Sequence, residues 1–142
     1  MSFEHDLYRP HVLVDVNHAD GAVLNWLAAQ LLDAPVKIGW SKQRRAVLLN
    51  AGAALSLYKP LEDSEVVNRL QHTHSIDCSA EADGFCAVIE RGTREPVRAC
   101  GPTAAHAILR CAVASHLGPQ AMVPAVLTVS DPEHDLHAEV SH

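Results

Sequence analysis

The sequence predicts an α+β domain: a three-layer α/β/α sandwich built on a mainly antiparallel sheet. Three observations lead there. Helical periodicity occurs in three separated segments, the apolar stretches between them are short and alternating, and turn sequences join those stretches where a parallel sheet would need crossover helices. The expected order is approximately α-β-β-(β)-α-β-β-β-α. A chain of 142 residues suits one domain, and 48% hydrophobic with 20% charged residues is a folded composition, not a disordered, collagen-like or disulfide-scaffold one. The organisation expected is an N-terminal arm or edge strand over 1–19, one domain over 20–127, and a mobile acidic, histidine-containing tail over 128–142.

The elements follow in order. Val12-Leu13-Val14-Asp15-Val16 is a brief alternation fit for an edge strand or extended arm. From Asp20 the pattern turns helical: Val23, Leu24, Leu27, Ala28, Leu31 and Leu32 share a face, Asp20 can cap the free amides, and Pro35 stops the run, giving a helix over 21–33. Val36, Ile38 and Trp40 alternate with polar or small residues, Ser41-Lys42-Gln43-Arg44-Arg45 reads as a polar turn, and Ala46-Val47-Leu48-Leu49 returns as the second strand of a hairpin. Ala54 to Tyr58 is extended again up to Pro60, after which Asp63 or Ser64 caps a second helix over 64–72 with Val66, Val67 and Leu70 inward.

Three further segments, Ser75–Cys78, Phe85–Ile89 and Pro96–Cys100, form a meander. With a loop of Glu81–Asp83, Cys78 lies opposite Cys86; with a loop of Gly92-Thr93, Phe85 faces Cys100. Pro102 at a first-turn position and the stop at Gly118-Pro119 mark a last helix over 102–117, whose face of Ala105, Ile108, Leu109, Ala112 and Val113 suits close packing on a sheet.

At these residues the chain resembles a known family, the phage ABA-sandwich domain of bacteriophages and prophages. Gly21 to Ala28 looks like that family's opening helix, and Tyr58-Lys59-Pro60 followed by Asp63 resembles its Tyr-x-Pro turn. Gly101-Pro102-Thr103 followed by Ala107 to Ser115 matches its GPT-x-AA-R-VAS pattern, and the resemblance spans about residues 20–124. What it implies is the three-layer fold and a phage or prophage origin, with no catalytic motif.

Charge and chemistry narrow the function by elimination. Eleven basic against 17 acidic residues give a net charge of −6, which disfavours nonspecific polyanion binding. The start of the chain lacks the pattern of a secretory signal and no apolar run approaches a membrane span, so the expected compartment is the cytoplasm of a bacterial host, with no membrane partner. There the four cysteines, 78, 86, 100 and 111, are expected as reduced thiols. His72, His74 and Cys78 offer two imidazoles and a thiolate but match no zinc-site spacing, so neither a metal nor any other cofactor is expected. Cys111 has His106 and His116 each five residues away, about 140° around a helix, and no nucleophile motif occurs; the protein is expected not to be an enzyme.

A nucleic-acid or anion contact would fall on Lys42, Arg44 and Arg45, on Arg91, Arg94 and Arg98 from the second hairpin, and on the helix start at Thr103. The expectation that remains is a non-enzymatic binding or assembly protein, a homo-oligomer with a host or phage protein as partner. Nucleic-acid binding is the first alternative and metal binding the second.

Overall fold

The computed structural model describes residues 10–51 and 54–128. Among the described residues the fold is α+β, with three helices and three small antiparallel sheets. Strand β1 (His11–Asp15) leads through a 3-10 turn to α1 (Gly21–Leu32); β2 (Val36–Ser41), β3 (Arg44–Ala51) and β4 (Ala54–Leu57) follow, then α2 (Ser64–Thr73). The meander β5 (Asp77–Glu81), β6 (Gly84–Arg91) and β7 (Arg94–Gly101) precedes α3 (Ala104–Leu117), and β8 (Gln120–Pro124) pairs antiparallel with β1. The expected arm is thus a paired strand over its described part. Residues 1–9 and all of the expected tail beyond Thr128 lie outside the described residues.

The strands do not join into the single sheet expected of a sandwich. They divide as β1-β8, β2-β3-β4 and β5-β6-β7. The cause is the last helix. Seven consecutive residues of α3, from Ala107 to Val113, are buried, so this helix is covered on every side instead of laying one face on a sheet. Strands β6 and β7 pack against it on one side, with α1 and α2 also against it, and α1 in turn carries β3. The main core runs through Leu24, Leu27, Leu70, Ala87, Leu109 and Val113, while Ile38 and Val47 close a second cluster with Leu127.

Local chemistry accounts for most boundaries. Asp20 accepts from Gly21 N–H at 2.8 Å, Asp63 accepts from Glu65 and Val66 N–H, and Thr103 accepts from His106 N–H at 3.1 Å, so each helix starts one residue after a capping side chain. This moves the start of α3 from the expected Pro102 to Ala104, Pro102 standing before the cap. In α2, Val67 and Leu70 are buried, with Val66 half-buried. The first hairpin turns on Lys42-Gln43 alone, both with positive φ (51° and 68°), a two-residue turn whose hand matches strand twist. Arg44 and Arg45 are therefore strand residues, not turn residues.

The meander corrects two registers and a redox state. Its first loop is the pair Ala82-Asp83, which places Cys78 opposite Ala87, not Cys86. Gly84 makes this tight approach: at φ 143°, a Cβ there would stand 2.5 Å from the Gly101 carbonyl oxygen. The second loop is Gly92-Thr93 as expected, but an irregularity between Ile89 and Arg91 shifts the rest of the ladder by one, so Phe85 faces Gly101 and Cys86 faces Cys100. Those two cysteines are joined in a disulfide, leaving Cys78 and Cys111 free. The expectation of four reduced thiols is overturned, and with it the thiol argument for a reducing compartment.

Burial pushes the Cys111 thiol up to about 11 and raises the less buried Cys78 as well. The unfolded, unreduced protein should accordingly titrate two thiols with a chromogenic disulfide and four after reduction. In the native protein near pH 8, iodoacetamide should modify Cys78 before Cys111, because only about one Cys111 in a thousand would be thiolate at that pH. Peptide mapping reads the order.

Candidate functional site

Arg110 is the one buried charged side chain among the described residues, only 7% exposed. It sits in the middle of α3, and its Nε donates to Ala19 O at 2.8 Å while Nη1 donates to Cys100 O at 2.8 Å. Both carbonyls lie where the chain leaves one element for another. The planar fork of guanidinium donors can reach two such acceptors at once, which an ammonium on a flexible stem cannot do with the same geometry. Cys100 is further secured by its own N–H, which donates to Asn17 Oδ1 at 3.0 Å. Gly101 permits the approach: a Cβ there would meet His106 Cβ at 2.6 Å and Arg110 Nη1 at 3.0 Å.

Beside this joint, Thr103, His106 and Asp20 form a hydrogen-bonded series. His106 Nδ1 lies 2.7 Å from Thr103 Oγ1 and His106 Nε2 lies 3.1 Å from Asp20 Oδ1. With the proton on Nε2 donated to the carboxylate, Nδ1 accepts from the threonine hydroxyl. A hydroxyl, imidazole and carboxylate in series is the order of a hydrolytic triad, but here both ends are already committed. Thr103 Oγ1 caps α3 and Asp20 Oδ1 caps α1, and neither Thr103 nor His106 lines a described concavity. The series fastens the amino ends of α1 and α3 together. Burial works to raise the Asp20 carboxyl, but the Gly21 amide, His106 and the charge of Arg110 outweigh it and hold that carboxyl below its ordinary value.

The anion-contact candidates singled out from the sequence separate into three places. Lys42, Arg44 and Arg45 line one groove of about 620 Å³ together with Lys59, Tyr58 and Asn25. Arg91, Arg94 and Arg98 line another of about 630 Å³ in which Asp15 and Glu95 mix the charge. Arg98 is paired with Glu81 at 3.3 Å and Arg91 Nε donates to Glu95 O at 3.0 Å. Thr103 belongs to neither groove. Cys111, once weighed against His106, turns its Sγ toward Val97 O at 3.5 Å. His72 is exposed, His74 half-buried after α2 and Cys78 half-buried on β5. Among the described residues, no three or more His, Cys, Asp or Glu side chains are grouped to hold a metal ion.

The Lys42 groove contains two features that sequence spacing missed. The first is Lys59, contributed after β4. The second is Asn25 on α1, whose Oδ1 is buried and has no hydrogen-bond partner among the described residues. Charge is also distributed unevenly along the chain: the described residues hold ten Lys and Arg against eleven Asp and Glu, so nearly all of the acidic excess belongs to the terminal segments. The body that carries the groove is close to neutral.

No family model matches the chain, and no curated protein matches it. Among the described residues, no helix is long and apolar enough to cross a membrane.

Replacing Arg110 by Ala should cost about 3 kcal/mol, since it strips two carbonyls of a charged donor and leaves a void; urea denaturation reads the loss. Acid should act on Asp20 in a defined direction. Its folded value is depressed, so its stabilisation is present above the unfolded value near 3.8 and is lost as pH falls through the folded value. Asp20→Asn should therefore show a smaller drop in urea midpoint than wild type between pH 6 and strongly acidic solution.

Proposed function

We propose that this protein is a non-enzymatic binding and assembly protein of bacteriophage or prophage origin that associates with itself through the open edge of β4. The observation that carries this reading is the state of that edge. Among the described residues β4 pairs only with β3, and its sequence, Ala54-Leu55-Ser56-Leu57, contains no charge and no proline. Leu55 is 49% exposed and Leu57 41% exposed, side by side on one face of the strand. Edge strands are ordinarily protected by charges, proline or bulges, because a row of unpaired N–H and C=O groups is a template for another strand.

Other edges of this fold carry such protection. β7 has Arg94, Glu95 and Pro96, and β5 begins and ends with Asp77 and Glu81. An occupant of the β4 edge would both pair its backbone and cover its leucines. A second copy provides a strand of identical length and chemistry, related by a two-fold axis. The phage origin rests on the motif resemblance at Gly101-Pro102-Thr103 and the opening helix.

Light scattering on the purified protein at micromolar concentration should give a dimer. Leu55→Lys, which places a charge on the open strand, should give a monomer with an unchanged circular dichroism spectrum. A wild-type monomer at those concentrations would remove the reading, as would a dimer indifferent to the substitution.

A further inference from the structure

We propose that the groove between the start of α1 and the β2–β3 hairpin binds a nucleotide, free or as one link of a single strand. This goes beyond the assembly reading and does not depend on it. Basic residues from three parts of the chain line the groove: Lys42 from the hairpin turn, Arg44 and Arg45 from β3, and Lys59 from the segment after β4. Glu62 is the one acid in the lining, and it stands 3.7 Å from Lys59. Lys42 and Arg45 form no ion pair with any described residue. The amino end of α1 opens on the same space at Gly21 and Ala22, adding its partial positive charge.

Two details make the site more than a basic surface. The Arg45 guanidinium lies over the Trp40 ring, 3.9 Å from its centroid. Stacking engages the face of the guanidinium and leaves its N–H edges to point at phosphate oxygens, a preorganised fork for a phosphate ester. The other detail is the extent of the concavity, about 620 Å³.

A ligand that fits this lining must carry an anionic group for Lys42 and Arg45 and extend well beyond it, as a nucleotide does with its phosphate, ribose and base. A concavity of about 620 Å³ is of the size that takes one such unit; a bare phosphate would leave most of it empty.

Fluorescence anisotropy at about 0.15 M salt tests this with two probes: fluorescent AMP, and a short single-stranded oligodeoxyadenosine with a fluorescent end. Binding of either probe supports the proposal, and the arm that binds identifies free nucleotide or strand as the source. The double variant Lys42→Ala/Arg45→Ala should weaken binding at least tenfold, since each charge-assisted contact to phosphate is strong. The proposal is overturned if neither probe binds, if binding is indifferent to the double variant, or if inorganic phosphate displaces the probes at matched concentration.

Discussion

The structure depends on the grip of Arg110. A guanidinium in the middle of a buried helix is unfavourable unless its donors are used, and here they are spent on carbonyls that would otherwise face the interior without partners. Ala19 stands immediately before the cap of α1, and Cys100 stands one residue short of the end of β7. By holding both, Arg110 sets where α1 begins and where the meander ends relative to α3. The Thr103–His106–Asp20 series reinforces the same junction from outside. Substituting a hydrophobic residue at 110 would fill the volume yet abandon two backbone acceptors, so the charge is tolerated because of what it joins.

What the sequence discloses is governed by the range of each interaction. Helices α1 and α2 and the first hairpin were legible because caps, prolines and alternation act over a few residues: Asp20 before Gly21, Asp63 before Ser64, and Val36 and Ile38 against Lys37 and Gly39. The register of β6 and β7 was not, because an irregularity at the Ile89–Arg91 step cannot be read from alternation, and one residue of shift converts a Phe85–Cys100 pairing into the Cys86–Cys100 disulfide. The division into three sheets was hidden for a different reason. It follows from burial of α3 on all sides, whose trace in the chain is the apolar run Ala107-Ile108-Leu109 continuing past Arg110 into Cys111-Ala112-Val113. An unbroken apolar run around the only charge is a sign of a central helix, whereas choosing one face from it leads to a sandwich.

The candidate site was legible in the same partial way. Lys42, Arg44 and Arg45 are contiguous, so a basic cluster announces them, but Lys59 and Asn25 reach the groove only through the packing of α1 against β3 and the return of the chain after β4. His106 and Asp20 are 86 residues apart and carry no shared motif. Net charge hides the distribution for a comparable reason, because it averages acidic terminal segments into a body whose charges nearly balance. The open β4 edge and the basic groove also share a wall, since Leu57 belongs to both. A second chain seated on that edge would come within reach of whatever occupies the groove, so self-association and ligand occupancy would be linked free energies.

The pairing of β1 with β8 brings the two ends of the described fold side by side: His11 is opposite Pro124, and the Ala125 N–H donates to Pro10 O at 2.8 Å. Ends this close can be joined by a short linker, and the chain can be reopened elsewhere without stretching any element. The exposed Lys42-Gln43 turn, already held at unfavourable backbone angles, is a natural place for the cut. The fold is thus topologically suited to circular permutation, and equally to insertion as a cassette within a surface loop of another protein.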